Sequence, residues 1–212
     1  LASQMRRRRL GWFNEVLAPF PEPVRVLDVG GTAAFWQQNR DALARRCHLT
    51  LLNLDRAEVG GLPDAEAAAG DARRMPQYAD GSFDVVFSNS VIEHVGTLYD
   101  QMAMAAEVRR VGRAYFVQTP NRWFPLEPHY LMPLWQFWPL WLRAWLQRRR
   151  SIGWMPRQPD PLRARAEVEQ VRLLGGREMA LLFPDAERLA ERLGPLVKSW
   201  VARRGPGGAA GA

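Results

Sequence analysis

Among its 212 residues the chain holds a single cysteine, Cys47, a single lysine, Lys198, and only three histidines. One thiol closes no intrachain disulfide and builds no thiolate metal cluster, which predicts a reducing compartment and excludes a structural cysteine–zinc site. With so few histidines and no paired carboxylate spacing, a catalytic metal has no support and none is expected. No run approaches the roughly 18 consecutive apolar residues of a membrane span. The basic run Arg6 to Arg9 is not followed by the apolar core of a signal peptide, so the expected location is cytoplasmic. The scarcity of lysine also decides how the net charge of +7 is read. Of 29 basic residues all but Lys198 are arginine, in a chain rich in Ala, Gly and Pro, a pattern that GC-rich coding produces. Nucleic acid is therefore not the expected partner, although a basic balance ordinarily raises it. The run Arg6 to Arg9 reads as the solvated start of a helix.

What is present is enough for one core: 47% of the residues are hydrophobic. Leu10, Phe13, Val16 and Leu17 recur at helical spacing until Pro19, Pro21 and Pro23 intervene. Val24 to Val29 is a short β-branched run ending at Gly30-Gly31, as a buried parallel strand does where it enters a turn. A helix over Phe35 to Arg46, a strand over His48 to Leu54, a weaker strand over Ala65 to Ala69 and a strong one over Phe83 to Ser88 follow. Val91 to Val111 reads as a helix closed by Gly112, and Ala114 to Gln118 as a fifth strand. Strands and helices alternating at this spacing predict an α/β, mostly parallel sheet with helices on both faces.

Residues 119–161 break that rhythm with interleaved prolines and tryptophans and read as an inserted cap. A helix near Arg177 to Phe183 and strands near Glu187 to Leu193 and Val197 to Ala202 complete a seven-stranded sheet. Residues 1–204 thus form one domain, and 205–212 a low-complexity tail expected to be disordered.

In such sheets ligands lie beyond the carboxyl ends of the strands. Asp28, Gly30 and Gly31 stand at the end of the first strand and Asp55 at the end of the second. Asp71 and Ala72 follow the third, and Ser88-Asn89-Ser90 the fourth. A carboxylate ending the second strand can accept both hydroxyls of a ribose. The runs Val26-Leu27-Asp28-Val29-Gly30-Gly31, Asn53-Leu54-Asp55, Gly70-Asp71-Ala72 with Met75-Pro76, and Phe83 through Val95 resemble, in order and spacing, the motifs of class I methyltransferases dependent on S-adenosylmethionine (SAM). The likeness covers about Val24 to Asn121 and is nearest the small-molecule branch called methyltransferase type 11. It implies a Rossmann-like fold with SAM as cofactor and S-adenosylhomocysteine as product. It also implies SAM-binding roles for Asp28, Gly30, Asp55 and Asp71. From their places at the strand ends Gly31, Ala72, Ser88 and Asn89 are expected as further cofactor contacts. Asp71 is placed to accept from an adenine amino group beside the Ala72 N–H, and Asp28 either holds the loop or faces the positive end of SAM's amino acid portion. Phe183-Pro184-Asp185-Ala186 leading to Lys198-Ser199-Trp200 resembles the family's C-terminal hairpin. The glycine turn departs from the pattern: Thr32 and Ala34 stand where further glycines usually fall. NAD fits this turn less well, since the dinucleotide fingerprint needs those glycines.

A sulfonium methyl is already activated, so such a protein chiefly aligns a nucleophile and excludes water. For a hydroxyl acceptor a neutral histidine within hydrogen-bond reach helps, and His129 and His94 are the candidate bases. Asn121, Trp123, Glu127 and Tyr130 are the candidate acceptor contacts. Trp135, Trp138, Trp141 and Trp145 predict one aromatic stripe if their segment is helical, started or kinked at Pro139. The stripe is expected to pack the cap onto the core. With Arg148-Arg149-Arg150 beside it, contact with an anionic membrane surface is a further reading, suited to a lipid-like acceptor. The expected function is methyl transfer to a small or lipid-like acceptor, with oxygen slightly favoured. The alternatives are a catalytically silent SAM-fold binding module, motivated by the altered glycine turn, and an RNA methyltransferase, motivated by charge.

Overall fold

The computed structural model describes residues 2–55 and 59–207, so most of the expected tail, from 208 on, lies outside the described residues. In chain order the elements are α1 (Ala2–Leu17), β1 (Val24–Val29), α2 (Ala33–Asn39), β2 (Cys47–Asn53), β3 (Ala65–Ala69), β4 (Phe83–Asn89), α3 (Leu98–Val111) and β5 (Gly112–Pro120). There follow a short hairpin of β6 (Leu126–Glu127) and β7 (Met132–Pro133), the helices α4 (Leu140–Arg149), α5 (Pro161–Gln170) and α6 (Gly176–Leu182), and the strands β8 (Glu187–Leu193) and β9 (Leu196–Arg204). Seven strands form one sheet in the order β3-β2-β1-β4-β5-β9-β8, in which β9 runs antiparallel to both neighbours and the other pairings are parallel. The order reverses between β1 and β4, where a crevice opens beyond the strand ends.

Side chains alternate along the strands and divide the core into two layers. Leu27, Val29, Val86, Tyr115 and Val117 pack against Met104, Ala105 and Val108 of α3 and Met179 and Leu182 of α6. Val24, Val26, Val85, Phe87 and Phe116 pack on the opposite face against Phe13, Val16 and Leu17 of α1 and Trp36 of α2. A third cluster, Tyr130, Trp135, Ile152 and Val168, is the cap's own core. Because Val168 belongs to α5, this layer continues past the expected boundary at Pro161.

Three expected elements end elsewhere. The helix expected to reach Arg46 stops at Asn39, because Asn14 of α1 accepts from the Ala44 N–H (2.9 Å) and donates to the Ala42 carbonyl (2.9 Å), drawing the chain off the helix axis. The helix expected from Val91 begins only at Leu98. Ile92–His94 form a single 3-10 turn, Gly96 takes φ +116°, and Thr97 and Asp100 close a reciprocal capping box that starts α3 afresh. The tryptophan stripe is likewise divided at Pro139, which caps α4. Trp135 sits buried in a preceding 3-10 turn, whereas Trp141 and Trp145 stand out from α4 with 71% and 42% of their surface exposed.

Candidate functional site

A cleft of about 670 Å³ opens at the carboxyl ends of β1, β2, β3 and β4, lined among others by Gly30, Asn53, Asp55, Asp71, Ala72 and His94. That size lies within the range of small-molecule sites. Gly30 supports it through backbone geometry: its φ is +75°, and a Cβ there would lie 2.5 Å from Val91 Cγ2. Its N–H donates to the Leu52 carbonyl (2.8 Å), and Asn53 Nδ2 donates to the Gly31 carbonyl (2.9 Å), which pins the turn to β2. Thr32 caps α2 by accepting from the Phe35 N–H (3.3 Å), and neither Thr32 nor Ala34 lines the cleft. The departure from the glycine pattern therefore serves helix initiation and does not narrow the site.

The strand-end residues divide into those that face the cleft and those that build it. Asp55 is exposed on its wall and has no hydrogen-bond or ion-pair partner among the described residues. Asp71 faces the cleft, but Arg73 grips its carboxylate with Nε at 2.9 Å and Nη2 at 2.6 Å. Those hydrogen bonds hold Asp71 below the usual carboxylate range, and Arg73 also reaches Asp100 at 2.9 Å. The sequence reading missed this clasp, whose one signal was an arginine two residues beyond the acid. Asp28 is buried beneath the turn, accepting from Trp36 Nε1 at 2.6 Å, and a Cβ on Gly31 would collide with its Oδ2 at 1.8 Å. Burial, only partly offset by the indole hydrogen bond, pushes the Asp28 carboxyl up to about 7. Gly31 and Asp28 thus shape the turn from below, an arrangement that fits the loop-holding alternative for Asp28.

Ser88 and Asn89 also have partners within the fold. Ser88 is buried and donates to the Val29 carbonyl (3.3 Å). Asn89 accepts from Arg9 Nη1 (2.5 Å), whose guanidinium also reaches Gln118 (3.2 Å) and the buried Glu191 (2.8 Å). Arg9 therefore leaves the solvated basic run and ties α1 to β4, β5 and β8.

At the cleft's edge the 3-10 turn of β4's exit meets the cap. The His94 and His129 rings touch edge to face, with centroids 4.7 Å apart. Glu127 accepts from His129 Nδ1 at 2.6 Å and from the backbone N–H groups of His129 and Tyr130 at 2.8 and 2.7 Å. Glu93 is fully buried: one carboxylate oxygen accepts from Thr119 Oγ1 (2.9 Å), and the other has no partner among the described residues. Burial pushes Glu93 up to about 7. Desolvation by the walls around it, together with the charge of His129, pulls His94 down to about 4. For His129 burial acts downward, but the hydrogen bond it donates to Glu127 and the charges of Glu127 and Glu93 outweigh it and raise the ring. One ligand-capable atom from each of Glu93, His94 and His129 lies within 4.8 Å of the others. Bonds of about 2.1 Å need closer ligands, so a cation would have to draw the three together.

Several expected acceptor contacts have hydrogen-bond partners within the fold. Tyr130 is buried and donates to Gln147 Oε1 (3.2 Å), stacked on Trp135. Asn121 spends its side chain on the Val197 carbonyl (2.8 Å) and the Trp123 N–H (3.2 Å). Glu127 is buried and acts on His129 and its backbone, while Trp123 remains exposed, near Gly175 and Gly176.

Comparison with known proteins agrees with the geometry. Residues 27–114 match the model of a methyltransferase domain family. Two uncharacterized proteins of Mycobacterium tuberculosis strains are 27% identical over 150 residues, 63% of this chain and 48% of theirs. The chain thus spans about half the length of the curated relatives it matches. The YcgJ protein of Bacillus subtilis shares the fold with a TM-score of 0.54 at 17% identity, over 87% of this chain and 70% of that one. DszA carbon methyltransferase does so with a TM-score of 0.56 at 12% identity, over 93% and 52%. The match over residues 27–114 and this sheet order make the chain similar to methyltransferase domains with a Rossmann-like fold.

Proposed function

We propose that the chain binds SAM in the cleft beyond β1, β2, β3 and β4 and methylates a hydroxyl of a small or lipid-like acceptor that enters under the cap. The observation that carries this reading is the Asp55 carboxylate, without a partner among the described residues, on the wall of a cleft that the glycine turn at Gly30 also lines. Asp55 is suited to accept from both ribose hydroxyls, and the Ala72 N–H and the remaining lone pairs of Asp71 suit an adenine edge. When bound, SAM supplies an electrophilic methyl on a sulfonium, so bond formation to the acceptor oxygen accompanies loss of the carbon–sulfur bond. The acceptor's hydroxyl proton passes to the histidine pair at the cleft edge. With Nδ1 fixed by Glu127, His129 offers Nε2 as the more basic site, while His94 is neutral near pH 7 and packs the base in place.

Isothermal titration of the purified chain with SAM and S-adenosylhomocysteine tests the reading. The expected result is roughly micromolar affinity, about −8 kcal/mol, weakened about tenfold or more in Asp55→Ala. Asp71→Ala is expected to cost less, because the wild-type carboxylate is largely spent on Arg73. No binding at millimolar SAM overturns the enzyme reading and favours a silent binding module.

A further inference from the structure

A second cavity, of about 770 Å³, lies between the cap and the start of α3, with Gly96, Thr97, Leu98, Arg122, Leu140, Arg143, Val168 and Leu173 in its walls. It begins where the cofactor cleft ends, for His94 and Val95 line the cleft and the next two residues line this chamber. Its lining mixes apolar and charged side chains, and two of its arginines have no carboxylate within ion-pair distance among the described residues. Arg143 is half-buried on α4, its Nε is inaccessible and unpartnered, and it forms no ion pair among the described residues. Arg122 likewise has no ion pair there; its guanidinium lies only over the Trp123 ring, 6.0 Å from the centroid. The other charged groups in its lining are paired: Asp100 with Arg73 (2.9 Å), Glu169 with Arg165 (3.4 Å) and Arg172 with Glu178 (2.5 Å). Gln136, held by the Arg122 and Phe124 carbonyls (2.8 and 3.0 Å), leaves its Oε1 without a partner. Charge that is withdrawn from water and unpaired is costly unless a ligand completes it.

We propose that this chamber binds the acceptor and selects an apolar molecule bearing a carboxylate or phosphate, whose anion sits between Arg122 and Arg143. Guanidinium groups suit both anions through paired N–H donors. The free Gln136 oxygen can accept from a hydroxyl on the same ligand. The chamber's part in methyl transfer rests on the function proposed above; the capture of an apolar anion does not.

The test uses decanoate, decyl phosphate and neutral decanol, titrated into the purified chain without SAM, followed by calorimetry and thermal shift. The wild type is expected to bind either anion at least tenfold more tightly than decanol. Arg143→Gln and Arg122→Gln each reduce that preference about fivefold, and the double variant abolishes it, with far-ultraviolet circular dichroism confirming the fold. Arg149→Gln, at the exposed end of α4, leaves it unchanged. Equal affinity for decanol and the anions, no binding of either at millimolar concentration, or a preference that survives the double variant overturns the chamber. A parallel SAM titration separates the two readings, because loss of anion preference with SAM binding intact sinks only the chamber. Anion preference without SAM binding sinks only the methyltransferase reading. Decanoate and decyl phosphate compared with each other distinguish carboxylate from phosphate.

Discussion

The Asp28 carboxyl illustrates how one side chain can serve a turn at the expense of stability. Its ordinary value of 3.8 rises to about 7 on folding, so the folded state binds the proton more tightly. The stabilisation from that proton is present in full below the unfolded value and is lost as pH rises through about 7. Asp28→Asn keeps an acceptor for the Trp36 indole and removes the titration. The variant is expected to melt above the wild type at pH 8, by at most about 4 kcal/mol in stability, with the gap closing toward pH 4. Thermal melts across that range decide it, and a gap independent of pH would show that Asp28 is ionised when folded. His129 gives the opposite kind of test, in the reaction. A base must be unprotonated, and Glu127 raises His129, so the rate of methyl transfer is expected to rise with pH through a midpoint above the ordinary 6.5. Glu127→Gln removes the raising carboxylate and moves that midpoint down, which a pH–rate profile reads separately from any loss of maximal rate. An unmoved midpoint would assign the base elsewhere.

Among the elements, those with strong period-2 or β-branched runs were legible in the sequence, and β3 (Ala65–Ala69) emerges with the bounds expected for it. Boundaries set by distant partners were not. Nothing near Arg40 announces that Asn14 captures the backbone around Ala42, and nothing in Val91–Val111 except Gly96 announces a break before Thr97. The site was legible to the same depth: the strand-end motifs located the cleft, but composition could not tell which acids face it. Asp28 and Asp55 look alike as residues ending strands, and only burial separates them. The tryptophans follow the same logic. Spacing marked Trp135 to Trp145 as one stripe, while Pro139 sends half inward and half outward. Trp141 and Trp145 stand exposed on α4, whose last turn carries Arg148 and Arg149, and the Arg149 guanidinium lies over the Trp145 ring, 4.5 Å from its centroid. Aromatic and cationic side chains together suit the boundary of an anionic bilayer. Vesicles containing an anionic phospholipid are expected to co-sediment with the chain, less so as salt rises. Trp141→Ala with Trp145→Ala should weaken binding about tenfold; equal binding to neutral vesicles would remove the electrostatic part of this expectation.

At the scale of the whole molecule, the first helix is fastened to the far edge of the sheet by two guanidinium groups, that of Arg203, which reaches Glu15 of α1 and Glu187 of β8, and that of Arg9. Arg9 spans from α1 to Asn89, Gln118 and Glu191, and Glu191 is itself buried and accepts from Ser199 Oγ at 2.5 Å. Removing one partner of such a pair strands a buried charge, which typically costs about 3–5 kcal/mol. Arg9→Met is expected to fall in that range by urea denaturation, and the double change with Glu191→Gln to recover most of it. If both variants are equally unstable, the contact is packing and not charge. The sequence placed Arg9 in a solvated run because its neighbours are solvated, and only the closing of the sheet by β8 and β9 brings Glu191 to it.

The stretch His94-Val95-Gly96-Thr97 is a partition with a cavity on either side. A partition used by two rooms makes their tenants interdependent. If filling the acceptor side shifts it so that SAM is held tighter by some factor, filling the SAM side must tighten the acceptor by that same factor. Gly96, at φ +116°, holds a backbone conformation that residues with side chains rarely adopt, so any change in that exchange caused by a substitution there is expected to be equal in both directions.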